Sequence, residues 1–101
     1  MVIKKVYTKT PVLGIISWNT ADDMRGNLES IAINPSSTTT TFDFFMTDDT
    51  GTVVYDKRSQ TGTFIDDSKI GLYGIYTCTL SNTSTNDPFL VNIIWNENLT
   101  G

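Results

Sequence analysis

The chain has 101 residues, the length of a single domain, and carries a formal net charge of −4. This acidic balance makes a duplex phosphate backbone a poor partner, so nucleic-acid binding is disfavoured. The sequence holds one cysteine and no histidine. An internal disulfide is therefore excluded, and the commonest general base and transition-metal ligand is missing.

The longest apolar run, residues 12–18, is too short to cross a bilayer. The first residues also lack the hydrophobic core of a signal peptide. We therefore expect a protein that is synthesised in the cytoplasm without a signal peptide and that does not bind a membrane.

The composition favours strands joined by polar turns. Thr and Ser make up about a quarter of the chain, and Val, Ile and aromatic residues are frequent, all of which suit pleated strands or turns. No window of 11 or more residues keeps a 3.6-residue apolar period. We expect at most one short helical turn.

The chain begins with a mixed apolar and basic segment, residues 2–8, that fits an edge strand or an arm. Lys4, Lys5 and Lys9 make it the only basic segment. Lysines on an edge strand usually serve to discourage association with other strands. The alternative role for these lysines is contact with an acidic neighbouring molecule. Pro11 marks the break that follows.

Two more strands are predicted before the middle of the chain. Residues 12–18 are apolar on both sides at their centre, which indicates a central or covered strand. Residues 19–27 read as a polar connection. Residues 28–34 form the next strand, which a Pro-Ser-Ser sequence ends because proline removes a ladder donor.

The clearest hairpin follows, over residues 38–55. Phe42, Phe44 and Met46 alternate with polar residues, as in a half-buried strand. The Asp-Asp-Thr-Gly sequence at 48–51 supplies carboxylates and a glycine suited to a tight reversal. A two-stranded ribbon cannot bury three large apolar side chains alone, so a second layer must cover them.

The C-terminal part predicts a short strand at 63–65, then two longer strands. In residues 75–81, Tyr76, Cys78 and Leu80 alternate with polar residues. Residues 89–95 place four apolar side chains on one side, namely Phe89, Val91, Ile93 and Trp95. We expect these last two strands to form a second hairpin that covers the first one.

Together these elements predict one all-β antiparallel sandwich of seven to eight strands, immunoglobulin-like or jelly-roll-like. It spans residues 1–101 as a single domain, and residues 1–11 serve as an N-terminal arm or an edge strand.

Candidate catalytic and metal-binding groups all have plainer explanations. The pairs Asp22-Asp23, Asp48-Asp49 and Asp66-Asp67 would offer oxygens to a calcium ion if their loops met, but aspartate is common in turns for its own backbone bonding. Nothing near them would raise a carboxyl pKa for glycoside cleavage. Cys78 lies on the apolar side of its strand. We expect no enzyme, no metal and no cofactor.

Aromatic residues could instead bind a ligand. Trp18, Tyr73 and Trp95 could stack on a sugar ring, although both tryptophans follow apolar runs and equally suit the rim of a core. The sequences beginning at Asn82 and Asn98 match the glycosylation pattern, at the frequency expected by chance in so polar a chain.

Residues 74–78 resemble the Gly-x-Tyr-x-Cys of immunoglobulin domains, in which the tyrosine, here Tyr76, forms a tyrosine corner. The chain has no second cysteine, so the disulfide-bonded family is not indicated.

A second resemblance covers residues 26–33, 41–55, 71–82 and 88–95. In this order they resemble small virion structural proteins of tailed bacteriophages, in which an Asp- and Gly-containing hairpin precedes a Gly-x-Tyr-Thr strand and a closing aromatic strand. The resemblance implies a β-sandwich that decorates a capsid or belongs to a tail, portal or fibre.

On this basis we expect a capsid decoration or cement protein on the virion surface, with the major capsid protein or another virion protein as its partner and with a homo-oligomer as a further expectation. The alternative is a carbohydrate-binding or host-attachment module of the tail or fibre. The predicted partner-binding residues all lie in the first strand, namely Val2, Lys4, Lys5, Tyr7 and Lys9.

Overall fold

A computed structural model describes residues 1–20, 23–67 and 69–97 of the chain. The described residues contain no helix and form nine strands. These are β1 (Val2–Lys9), β2 (Ile16–Asn19), β3 (Met24–Pro35), β4 (Thr41–Thr47), β5 (Val53–Thr61), β6 (Phe64–Asp66), β7 (Gly71–Gly74), β8 (Thr77–Ser81) and β9 (Phe89–Glu97).

The strands form two antiparallel sheets, which confirms the predicted all-β sandwich. The first sheet has the order β1-β9-β3-β6, and β7 also pairs with β3. The second sheet has the order β2-β8-β4-β5. Because β6 and β7 pair with successive parts of the same edge of β3, the nine strands occupy eight positions.

The pairing is nested around the β4–β5 turn. β4 pairs with β5, β3 with β6 and β7, β2 with β8, and β1 with β9. The chain is therefore one long hairpin wound across two sheets, which is the arrangement of a jelly roll. An immunoglobulin-like order is ruled out because the last two strands lie in different sheets.

The expected second hairpin between the last two strands is therefore wrong. β8 pairs with β2 and β4, whereas β9 pairs with β1 and β3. Each strand has one strongly apolar face, and strands in opposite sheets bury those faces against each other across the core. Strands side by side in one sheet would instead need another layer to cover both.

The core lies between the sheets, and the predicted inward faces are confirmed. Phe42, Phe44 and Met46 of β4 are buried, as are the four apolar residues of β9. The rings of Phe42 and Phe89 meet edge to face across the sandwich with centroids 5.3 Å apart. Full burial of each such side chain stabilises the fold by roughly 1.5–3 kcal/mol.

The predicted strand at residues 12–18 is wrong in its first half. Only Ile16–Asn19 is a strand, and it forms an edge of the second sheet, not a central position. Residues 12–15 instead make a tight reversal. An apolar run shows no alternation that would separate a covered strand from an apolar turn.

Several other strand ends differ from prediction, three of them markedly. β3 begins at Met24, inside the predicted polar connection, and β8 begins at Thr77 and not at residue 75. β5 continues to Thr61, into the predicted turn at 59–62, because an irregularity opposite Phe42 and Phe44 accommodates one extra residue in β5.

A tyrosine-corner bond is present where the chain crosses between sheets. The Tyr76 hydroxyl accepts a hydrogen bond from the Tyr73 amide at 2.7 Å and donates one to the Tyr73 carbonyl at 3.3 Å. The local likeness to immunoglobulin domains thus holds for this corner, although the strand order differs.

Candidate functional site

The most distinctive surface feature is an exposed apolar turn formed by Val12, Leu13, Gly14 and Ile15. The Val12 amide donates to the Ile15 carbonyl at 3.0 Å, and the Ile15 amide donates to the Val12 carbonyl at 3.3 Å. Both central residues have positive φ, 54° at Leu13 and 81° at Gly14. Turns of this kind normally use Asn, Asp or Gly, because a larger residue there costs roughly 1–2 kcal/mol.

The apolar turn is exposed yet firmly held. Leu13 is 91% exposed, Val12 68% and Ile15 51%. The Gly14 carbonyl accepts a hydrogen bond from the Thr83 amide at 3.1 Å, and its amide donates to Asn86 Oδ1 at 3.0 Å. The loop between β8 and β9 therefore fixes three large apolar side chains in solvent.

The five residues predicted to bind a partner lie on β1, at an edge of the first sheet. Val2 and Lys4 are exposed, whereas Lys5, Tyr7 and Lys9 are partly buried on the other face. The Tyr7 hydroxyl donates to the Thr20 carbonyl at 3.1 Å. The strand therefore divides these residues between two faces and does not gather them on one.

The three aromatic residues of the alternative sugar site do not share a surface. Trp18 is buried in the second sheet, where Lys9 Nζ lies 5.5 Å from its ring centroid. Trp95 is buried in the first sheet, and its Nε1 donates to Glu97 Oε2. Only Tyr73 is exposed, with the Arg25 guanidinium 5.2 Å from its ring. Both tryptophans pack in the core, so neither ring is available to stack on a sugar.

Of the predicted aspartate pairs, the one at 48–49 has a clear role in its own turn. Asp48 Oδ1 accepts hydrogen bonds from the amides of Thr50 and Thr52 at 3.0 and 2.9 Å, and from the Thr50 hydroxyl at 2.7 Å. These bonds, the Thr50 hydroxyl foremost, lower the pKa of the Asp48 carboxyl. Asp66 accepts a hydrogen bond from the Tyr55 hydroxyl at 2.6 Å. Asp22 lies outside the described residues, as does Asn98.

Within the described ranges, no three His, Cys, Asp or Glu side chains are grouped closely enough to hold a metal ion. Cys78 is buried, and burial raises the pKa of its thiol to about 12. That thiol is therefore protonated at neutral pH. No helix long and apolar enough to cross a membrane occurs among the described residues.

A second feature, which sequence reasoning missed, surrounds Asp43 on the outer side of β4. This residue is only 9% exposed. Its Oδ1 accepts a hydrogen bond from the Ser59 amide at 2.7 Å, and its Oδ2 accepts one from Asn82 Nδ2 at 2.7 Å. The Arg58 guanidinium lies 3.9 Å from Oδ2. One carboxylate thus ties β4 to the irregularity in β5 and to the end of β8.

An open pocket of about 440 Å³ lies beside this carboxylate. It is lined by Thr41, Phe42, Asp43, Ser59, Thr61 and Asn82. Ser59 and Asn82 both have positive φ, 57° and 50°. The only sequence signal for this site was a charged residue inside an otherwise apolar strand, and it did not indicate which distant residues would meet it.

The Asp43 contacts make stability depend on pH. The Ser59 amide, the Asn82 side chain and, more weakly, Arg58 hold the pKa of Asp43 below its ordinary value of 3.8. A lowered folded-state pKa contributes stability above the ordinary value, and that contribution is lost as the pH falls through the folded-state pKa. Asp43→Asn is expected to lower the free energy of unfolding by about 1–3 kcal/mol at neutral pH.

This difference between the wild type and Asp43→Asn should shrink in strong acid, where the wild-type carboxyl is also neutral. Urea unfolding of both proteins along a pH series measures it. A difference that stays constant in acid would contradict the assignment of this stability to the ionised carboxylate.

Comparison with known proteins finds no family model that matches the chain and no match among the curated proteins.

Proposed function

We propose that this protein is a non-catalytic structural component of a virion, a decoration protein that docks on the capsid surface. The apolar turn at residues 12–15 is the observation that carries the proposal. The major capsid protein or another virion protein is the proposed partner.

The apolar turn is unfavourable in the isolated chain for two reasons. Leu13 holds a backbone conformation that asparagine or glycine would adopt at lower cost, and its side chain is left in water. Burial in a partner's apolar pocket would recover roughly 1.5–3 kcal/mol for the almost fully exposed Leu13, and less for Val12 and Ile15, which are already partly covered. Because the turn is already fixed by its bonds to Thr83 and Asn86, little conformational entropy is lost on docking.

The edge strand β1 extends the proposed docking surface. β1 leads directly into the turn and pairs only with β9 among the described strands. Its other edge therefore offers backbone donors and acceptors next to Val2 and Lys4. A partner strand could add to this edge while the apolar turn supplies the anchor.

The proposal of a virion role in particular draws support from the jelly-roll order, which recurs in viral capsid domains, and from the resemblance to small phage structural proteins over residues 26–95. In that role the protein would bridge neighbouring capsid subunits. The added interface would oppose the internal pressure of a filled particle.

Particle association tests the proposal. Particles released by cells that express the tagged protein are banded on a density gradient, and the fractions are blotted. The wild type should band with the particles, and Leu13→Asn should stay in the light fractions. Asparagine tolerates positive φ, so this variant should be at least as stable as the wild type.

Ile65→Thr is the matched control. Ile65 on β6 is, like Leu13, a largely exposed apolar residue, with 68% of its surface accessible, but it lies outside the turn and outside β1. This variant should band with the particles as the wild type does. A wild-type protein that remains in the light fractions would overturn the virion role. Equal loss in both variants would overturn the assignment to the apolar turn.

A further inference from the structure

We propose that the pocket beside Asp43 binds a small neutral polyhydroxylated ligand, a single sugar ring of a glycan. The pocket lies on the outer face of the second sheet and differs from the apolar turn in position and in chemistry. The proposal concerns binding only and is independent of capsid docking.

The pocket has the size and the unused polar groups that such a ligand needs. Its volume of about 440 Å³ falls within the range of about 300–1,000 Å³ for small-molecule sites. Thr41, Ser59 and Thr61 are among its lining residues, and their hydroxyls make no hydrogen bond within the described part of the chain. A hydroxyl both donates and accepts, which matches the paired donor and acceptor character of a sugar hydroxyl.

The Asp43 carboxylate, on a residue that lines the pocket, adds acceptor capacity. Each of its oxygens accepts one bond from the protein, from Ser59 or from Asn82, and each can accept another. The oxygens are already oriented, and a ligand hydroxyl that donates to one would form a charge-assisted bond, which is about twice as strong as a neutral one.

The charges at the pocket favour a neutral ligand over an anion or a divalent cation. An anion would meet the ionised Asp43 and is disfavoured. A divalent cation prefers six or more oxygens and several carboxylates, whereas Asp43 is the pocket's one carboxylate and the Arg58 guanidinium already lies 3.9 Å from it. A neutral ligand with many hydroxyls needs no additional charge and fits the remaining groups.

Backbone conformation gives independent support. Of the three described non-glycine residues with positive φ, one forms the apolar turn and the other two, Ser59 and Asn82, meet at Asp43. Asparagine adopts this conformation readily, but Ser59 holds it at a cost of about 1–3 kcal/mol, and strained residues of this kind cluster at binding sites, where the surrounding structure holds them in place.

The test combines a glycan array with a titration followed by amide NMR. The array carries the common neutral hexoses, deoxyhexoses and N-acetylhexosamines, with sialylated glycans for comparison. The methyl glycoside of the best binder is then titrated into the ¹⁵N-labelled protein. Saturable shifts are expected at the Ser59 backbone amide and at the Asn82 side-chain amide.

Thr61→Val should weaken this binding by about tenfold, because it removes one hydroxyl bond worth about 1.4 kcal/mol without changing the shape of the side chain. Thr63→Val is the matched control, since Thr63 is exposed two residues further on and does not line the pocket. It should bind as the wild type does.

Three results would overturn the proposal. These are the absence of saturable binding to any neutral sugar, equal weakening by both threonine variants, and array binding to sialylated glycans alone. Capsid docking is tested separately, because Leu13→Asn should keep the sugar affinity and Thr61→Val should keep particle association.

Discussion

Phe44→Ala is expected to lower the free energy of unfolding by about 3–5 kcal/mol, a large share of the 5–15 kcal/mol typical of a whole domain. Phe44 is fully buried at the centre of the second sheet, because β4 lies between β8 and β5. Its ring meets that of Tyr55 edge to face with centroids 6.0 Å apart. Truncation removes these contacts and leaves a cavity that a paired central strand cannot close.

The next residue supplies the control for this prediction. Phe45 carries the same side chain on the opposite face of β4, where it is partly exposed and packs under the Arg58 guanidinium at 5.3 Å. Phe45→Ala should cost only about 1 kcal/mol. Urea unfolding of both variants measures the difference. If Phe45→Ala proved the more harmful, the assignment of the inner face would be wrong.

Gly62→Ala is expected to lower the free energy of unfolding by about 2–4 kcal/mol for two separate reasons. Gly62 has a φ of 69°, which an alanine adopts only with strain. A Cβ added there would also lie 2.7 Å from the Thr38 carbonyl oxygen. Two residues after Thr38, the Thr40 carbonyl accepts a hydrogen bond from the Gly62 amide at 2.9 Å. The Thr38 carbonyl therefore cannot move away from Gly62 without disturbing that bond.

Gly51→Ala separates the two contributions. Gly51 lies in the β4–β5 turn with a φ of 85°, yet an added Cβ would meet nothing within 4 Å. This variant should therefore show the conformational cost alone, about 1–2 kcal/mol. Thermal and urea unfolding of both variants give the comparison. Equal losses in the two variants would mean that the close approach to Thr38 relaxes freely.

The sequence predicted the core residues best in strands that have one buried face and one solvent-exposed face. The alternation in β4 identified Phe42, Phe44 and Met46 as one side of the core, and the alternation in β9 identified its four apolar residues as the other side. Successive side chains of a strand point to opposite faces, so a buried face appears in the sequence as every second residue. The β4–β5 reversal was equally visible, since Asp48 and Gly51 have local roles in the turn.

Features that depend on distant pairing were not predictable in the same way. Apolar alternation in β8 and β9 shows which side is inward, but not whether the strands are neighbours or face each other across the core. The Asp43 pocket joins Asp43 to Asn82, 39 positions further along the chain, and no local pattern encodes that meeting. The apolar turn was mistaken for part of a strand because hydrophobicity alone does not distinguish a covered segment from an exposed one.

The nested pairing described above also constrains how the protein forms during synthesis. Among the described strands, β1 leaves the ribosome before all the others, whereas its partner β9 follows them all, about 80 residues later than β1. Until then the lysine-bearing strand has no sheet to join, whereas the β4–β5 ribbon can close as soon as it emerges. Completion of the first sheet must therefore be a late step, and Lys4 and Lys5 would keep the waiting strand from aggregating.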